Sequence, residues 1–178
     1  VTHATRGRIV DPREPVDGQP AVAELDIADS DRVREAFAGF EPEYICHLAA
    51  QASVTVSVKE PKRDFDSNVL GTFNILNSAT EHRARTVFAS TGGALYGEGA
   101  PIPTDESYVA QPLSPYGASK QAAEAFVGAL ARFHGIDHAV LRLGNVYGPR
   151  QSPHGEAGVV AIFSERLLLD RPVVAYGH

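Results

Sequence analysis

The chain predicts an α/β domain built on a parallel sheet with helices on both faces, and three observations predict it. Short apolar runs alternate with longer segments of helical periodicity through almost all of the 178 residues. Runs such as Tyr44-Ile45-Cys46-His47-Leu48 and His138-Ala139-Val140-Leu141-Arg142-Leu143 are short enough to be buried parallel strands. Each run also ends in small or polar residues: Asp26, then Ala49-Ala50-Gln51, then Ser90-Thr91-Gly92-Gly93, then Gly144-Asn145. In a parallel sheet the carboxyl ends of the strands line the ligand crevice.

The elements follow in order. Residues 11–20 hold Pro12, Pro15 and Pro20 and read as a loop. Val22–Ile27 is a short strand. Asp29 or Ser30 caps a helix running to about Phe40, with Val33, Ala36 and Phe37 inward. Tyr44–Leu48 is the next strand, in which Cys46 reads as a small core residue. A helix covers about residues 62–82, and Thr86–Ser90 is a strand. A loop rich in glycine and proline follows (Gly97, Gly99, Pro101, Pro103, Pro112, Pro115). Ala118, Ala122, Ala125, Phe126, Ala129, Leu130 and Phe133 then recur at helical spacing. A strand over 138–143, a helix over about 159–169 and a strand beginning at Val173 complete the pattern.

Composition narrows the partners. A net charge of −6 without any Lys/Arg cluster argues against nucleic acid. No apolar run approaches the roughly 18 residues of a membrane span. The single cysteine excludes an intrachain disulfide and suits a reducing, cytoplasmic setting. Of seven histidines only His134 and His138 lie four apart, with Gly135 breaking the helix between them, so no metal site is expected. The chain has no methionine, starts in a polar stretch and stops where a strand begins. The expectation is an interior piece of a longer polypeptide.

The chemistry is concentrated in Tyr116-Gly117-Ala118-Ser119-Lys120. At four-residue spacing Tyr116 and Lys120 share one face of the helix they open. A phenol titrates near ~10 and is a poor base at neutral pH. A neighbouring ammonium favours phenolate, so the spacing predicts a lowered phenol pKa and a proton shuttle for alcohol oxidation or carbonyl reduction. Because the helix follows the strand ending in Thr91, its first turn should face the crevice.

Six stretches carry a family resemblance. They are Leu25–Asp29, His47–Val54, Asn68–Thr72, Ala89–Gly97, Ser114–Lys120 and Leu141–Arg150, spread along most of the chain in family order and spacing. In that order the chain resembles the extended short-chain dehydrogenase/reductase superfamily, and within it the nucleotide-sugar 4-epimerases. The resemblance implies a Rossmann-like doubly wound sheet over residues 1–178, with a substrate-binding region starting at about 145–178. It implies NAD as cofactor and a UDP-hexose as substrate. Thr91, Tyr116 and Lys120 are then the catalytic residues, with Ser90 as the alternative to Thr91 because Gly92-Gly93 lengthens the usual spelling. Asp26 and the Ile27 backbone would meet the adenine, and Leu48, Ala49, Ala50 and Gln51 the rest of the cofactor. Asn68, Ser90, Tyr116, Lys120 and Leu143 complete the cofactor set, while Thr91, Gly92, Tyr116 and Asn145 would touch the substrate. A homodimer through the helices near 62–82 and 115–134 is also implied, with Phe65, Leu76, Phe126 and Phe133 as its apolar surplus.

The sequence departs from the family pattern in lacking the Gly-x-x-Gly-x-x-Gly phosphate loop and the acidic strand end after it. The C-terminal substrate lobe is missing too. In strand order 3-2-1-4-5-6 the loss of strands 1 and 2 leaves a gap of roughly 15 Å at ~4.8 Å per step. The expectation is an incomplete domain, inactive by itself. The implied reaction is epimerisation at C4 through a 4-keto intermediate. Dehydration is disfavoured, because the dehydratase relatives carry Asp-Glu where this chain has Gly92-Gly93. Uronate epimerases and decarboxylating relatives stay open, as does a non-catalytic dinucleotide-binding remnant.

Overall fold

A computed structural model describes residues 6–16, 19–149, 151–154 and 158–174, with side chains from Glu24 onward. The chain divides into two units, Val1–Arg142 and Leu143–His178.

In the first unit, strands β1 (Arg6–Val16) and β2 (Gln19–Asp26) form a separate two-stranded antiparallel sheet. This corrects two expectations. Residues 11–20 are largely strand rather than loop, and the Val22 strand pairs with β1 rather than joining the parallel sheet. The register runs from Arg6↔Asp26 to Asp11↔Ala21, shifts, and resumes at Val16↔Gln19. The shift falls where Pro12 and Pro15 have no N–H to give the ladder.

The other strands are β3 (Tyr44–His47), β4 (Arg85–Thr91) and β5 (His138–Leu143), in the order β3-β4-β5. β3 and β4 are parallel, from Tyr44↔Arg85 to His47↔Phe88. Helix α1 (Ser30–Phe40) is capped by Asp29, whose carboxylate accepts from the Asp31 and Arg32 amides. The expected 62–82 helix is a composite: α3 (Pro61–Phe65), a π-helical turn over Asp66–Leu70, and α4 (Gly71–Glu81). A short α2 (Val54–Lys59), capped by Ser53, precedes it. Helix α5 (Pro115–His134) has Ser114 as N-cap, Pro115 in its first turn and a left-handed Gly135 at its end.

Two apolar clusters hold this unit together. Leu25, Ile27, Val33, Phe37, Ile75, Ala79 and Ala84 pack where α1, α4 and the end of β2 meet. Leu76, Phe88, Ala123 and Val127 join α4 and α5 to β4. Leu76 is thus core and not interface, which corrects the expected surplus, whereas Phe65, Phe126 and Phe133 are exposed. Cys46 is also exposed rather than buried, on a strand whose alternate residues Tyr44 and Leu48 are open too.

The second unit contains α6 (Val159–Leu168). Residues 171–174 form no regular element, and the rest of the strand expected from Val173 lies outside the described residues. Among the described residues no helix is long and apolar enough to cross a membrane. No group of three or more His, Cys, Asp or Glu could hold a metal ion among them.

Candidate active site

The site is built at the start of α5. Ser114 Oγ accepts from the Gly117 amide at 3.1 Å, which fixes the first turn. Gly117 is required there: a Cβ would lie 2.3 Å from the Ala94 carbonyl oxygen and 2.8 Å from Pro112 Cβ. That close approach seats the loop after β4 directly on the turn carrying Tyr116.

One turn along, the Lys120 ammonium is nearly buried, with 4% of the residue exposed. It donates to the Ala89 carbonyl on β4 at 2.9 Å and lies 4.8 Å from the centre of the Phe88 ring. Burial lowers its pKa to about 8, against the charges of Asp64 and Glu124, which favour the ammonium. Tyr116 is half-buried, and the phenol interacts with the Thr91 hydroxyl. Burial raises its pKa, the Thr91 hydrogen bond lowers it, and the negative charge of Asp64 raises it further. The direction is therefore opposite to that predicted from spacing. Sharing a helix face fixes the Cα neighbours, but Lys120 Nζ turns to the Ala89 carbonyl.

Behind this pair lies a buried amide network. The Gln51 backbone N–H donates to Asn68 Oδ1 at 2.8 Å, and Asn68 Nδ2 donates to the Gln51 carbonyl at 2.9 Å. Asn68 Nδ2 also donates to Asp64 Oδ1 and Ser119 Oγ, both at 3.1 Å. Ser119 Oγ in turn donates to the Tyr116 carbonyl at 2.9 Å. Gln51 Nε2 donates to Asp64 Oδ1 at 2.8 Å. His47 pairs with Thr72 Oγ1 at 2.9 Å and stacks against Phe88 with centroids 5.6 Å apart. Burial, with the Lys120 charge, lowers its pKa to about 3, so it is neutral.

The structure brings together Thr91, Tyr116, Lys120, Gln51, Asn68 and the buried Ser90. Ala49 and Ala50 are half-buried at the end of β3, Leu48 is exposed, and Gly92 begins the loop after β4. Asp26 and Ile27 are elsewhere in the unit. Asp26 Oδ1 accepts from the Ala28 amide at 2.9 Å, and its residue lines an open cleft with Ala28, Glu60, Pro61, Lys62, Arg63 and Asp66. Tyr116 and Lys120 do not line that cleft. The Ile27 side chain is core, and its carbonyl accepts from Asn74 at 3.0 Å. Leu143 and Asn145 fall in the second unit, where both are exposed. Sequence reasoning missed Asp64 and Ser119. No local signal marks Asp64 as inward, because the alignment of Asp64, Asn68 and Thr72 depends on the π-helical turn between them.

The chain is similar to known proteins along most of its length. A UDP-glucose 4-epimerase of Mycolicibacterium smegmatis is 44% identical over 153 residues, covering 85% of this chain and 49% of that protein. The crystal structure of a Thermotoga maritima UDP-glucose 4-epimerase with UDP-glucose superposes with a TM-score of 0.83 at 45% identity, over 87% of this chain and 51% of that one. A Thermus thermophilus UDP-glucose 4-epimerase complexed with NAD gives 0.78 at 49% identity, over 84% and 49%. The chain spans about half the length of these relatives. The model of the NAD dependent epimerase/dehydratase family matches residues 1–178. With its parallel β3–β4 pair and the Tyr116–Lys120 helix, the chain belongs to the NAD-dependent epimerase/dehydratase family.

Proposed function

We propose that the protein epimerises a UDP-hexose at C4, of the UDP-glucose/UDP-galactose type, with NAD held throughout the cycle. The observation that carries this reading is the meeting of Tyr116 with Thr91 at the end of β4 while Lys120 is anchored one turn along α5. The relatives named above, acting on UDP-glucose in one case and complexed with NAD in another, support it.

Residues of this chain fit a nicotinamide dinucleotide. Ser90 Oγ is buried with no hydrogen-bond partner among the described residues, and the Lys120 ammonium has donors beyond the one given to Ala89. Both suit ribose hydroxyls and amide groups. NAD held by these residues would supply reversible hydride transfer at the sugar carbon. Thr91 would orient the sugar 4-hydroxyl, and Tyr116 Oη would receive its proton and later give it back. Lys120 would hold the ribose through the donors not given to Ala89. Gln51 and Asn68 would fix the β3 end against the first turn of α5. Gly92 and Gly93 carry no side-chain acid or base, which favours proton shuttling at C4 over loss of water.

The dimer belongs to this reading as well. Phe73 and Phe126 meet edge-to-face at 5.7 Å across α4 and α5 while remaining partly exposed, and Phe65 and Phe133 are open. A second copy would cover them. Light scattering of the full-length protein should give twice the monomer mass, and a monomer at micromolar concentration overturns this part.

The activity test incubates the full-length protein separately with UDP-glucose and UDP-galactose, without added reductant. Interconversion by wild type and its loss in Tyr116→Phe is the expected result. A stable 4-keto-6-deoxy product would establish dehydration instead, and absence of turnover with NAD still bound would indicate a binding protein.

A further inference from the structure

We propose that Asp64 is a positioning residue of this site: its buried carboxylate ties Gln51 and Asn68 together beneath the first turn of α5 and supplies a fixed negative charge to Tyr116 and Lys120. The inference rests on the functional reading above and assigns a charge-setting role to a residue outside the reacting groups.

Asp64 is 1% exposed. Removing a carboxylate from water is costly unless donors and an opposite charge compensate it. Its Oδ1 receives two amide N–H groups, from Gln51 Nε2 at 2.8 Å and Asn68 Nδ2 at 3.1 Å. Those bonds continue through Asn68 Nδ2 and Ser119 Oγ to the Tyr116 carbonyl. The carboxylate is thus mechanically connected to the turn that carries the proposed proton carrier.

Hydrogen bonding alone does not call for a charge here, since an asparagine side chain at this position offers an acceptor oxygen of the same reach. What the charge adds is electrostatic. Asp64 favours the ammonium of Lys120 and disfavours the phenolate of Tyr116. The other groups facing the pair are Glu124 on α5, which also favours the ammonium, the neutral His47 on β3, and the uncharged Thr91 on β4. Asp64 is the contribution from α3 and acts on both members. It favours the charged lysine against its own burial and adds to the burial that already raises the tyrosine pKa.

The test uses the full-length protein and three variants. Asp64→Asn keeps the acceptor and removes the charge, Asp64→Glu keeps the charge, and Asp64→Leu removes both. The pH profile of kcat/KM and the NMR titration of the Lys120 ammonium, identified by its loss in Lys120→Arg, are the readouts. In Asp64→Asn both should move to lower pH while the thermal midpoint stays close to wild type. Asp64→Glu should bring the profile back towards wild type, and Asp64→Leu should lower both kcat and thermal stability. An Asn variant whose profile and Lys120 titration superimpose on wild type overturns the proposal, because a merely structural role predicts that outcome. If the wild type turns over no UDP-hexose, the functional reading fails, yet the Lys120 titration still decides the role of Asp64. Should the variants not fold, the carboxyl ¹³C signal of Asp64 in wild type decides: a neutral carboxyl at neutral pH overturns the proposal.

Discussion

Lys120 and Arg142 are cations on neighbouring elements, and the protein treats them in opposite ways. Arg142 is held by several partners. Its guanidinium donates to both oxygens of Glu124, at 2.8–3.2 Å, to the Tyr96 hydroxyl at 2.9 Å and to the Glu106 carbonyl at 2.8 Å. It also lies over the Tyr96 ring. Hydrogen bonding to Glu124 raises its pKa above the ordinary arginine value, so it is charged at any working pH. Lys120 is more deeply buried yet gives a hydrogen bond to one carbonyl, and burial brings its pKa down to about 8. A cation with most of its donors engaged fastens the loop after β4 to α5 and β5. One with donors to spare and a proton held loosely is equipped to bind and to respond.

The contrast predicts effects of different kind and size. The largest is on the responsive side. Tyr116→Phe should lower kcat by about 10²–10⁴ with the fold intact, as expected for loss of general acid–base catalysis. Steady-state kinetics with parallel circular dichroism checks it. A Phe variant with wild-type kcat would break the comparison outright.

The next effect comes from His47, which packs against the same Phe88 ring that Lys120 approaches. With a folded pKa near 3 against 6.5 in the unfolded chain, the unfolded state binds more protons between those values. Stability is then fully present above about pH 6.5 and falls as pH drops towards 3, by a limiting amount on the order of 5 kcal/mol. Urea denaturation across that range should show the slope, and His47→Gln should flatten it.

Lys120 itself gives a smaller window. Its folded pKa of about 8 lies below the ordinary 10.5, so the unfolded chain again binds more protons in between. Stability should rise with pH from about 8 to 10.5, by roughly 3 kcal/mol. Lys120→Met should abolish that rise, and an unchanged slope would show that burial does not govern this amine.

The smallest effect falls on the Arg142 side. Arg142→Lys keeps the charge but loses the two-pronged grip on Glu124, and should cost about 1–2 kcal/mol of stability. The pH profile of turnover should not move. If it does, Arg142 reaches the reacting groups and the division between the two cations fails.

How far the sequence revealed this arrangement depended on the kind of signal. Helix α5 was legible because its punctuation is local: Ser114, Pro115 and Gly135 mark its ends, and Tyr116 and Lys120 share a face by counting alone. The direction of the Tyr116 pKa was not, because spacing cannot tell where a long lysine chain turns its nitrogen. Asp64 was hidden for a related reason. A charged residue in a helix reads as solvent-facing unless the tertiary partners, here Gln51 and Asn68, are known. The β1–β2 hairpin was missed because Pro12 and Pro15 signal a loop, and the strand accommodates them by a register shift that no local rule anticipates.

The π-helical turn at Asp66–Leu70 carries a consequence of its own. Four-residue steps on a regular α-helix overshoot each full turn by about 40°, so Asp64, Asn68 and Thr72 would drift around the barrel of a uniform helix. The wider turn slows that drift as a vernier does, and the three residues stay in step with their partners across the gap: Asp64 and Asn68 with Gln51, and Thr72 with His47. Deleting one residue from this turn would leave a more ideal helix. It would also put the two scales out of phase, so that Thr72 could keep His47 only if Asp64 let go of Gln51.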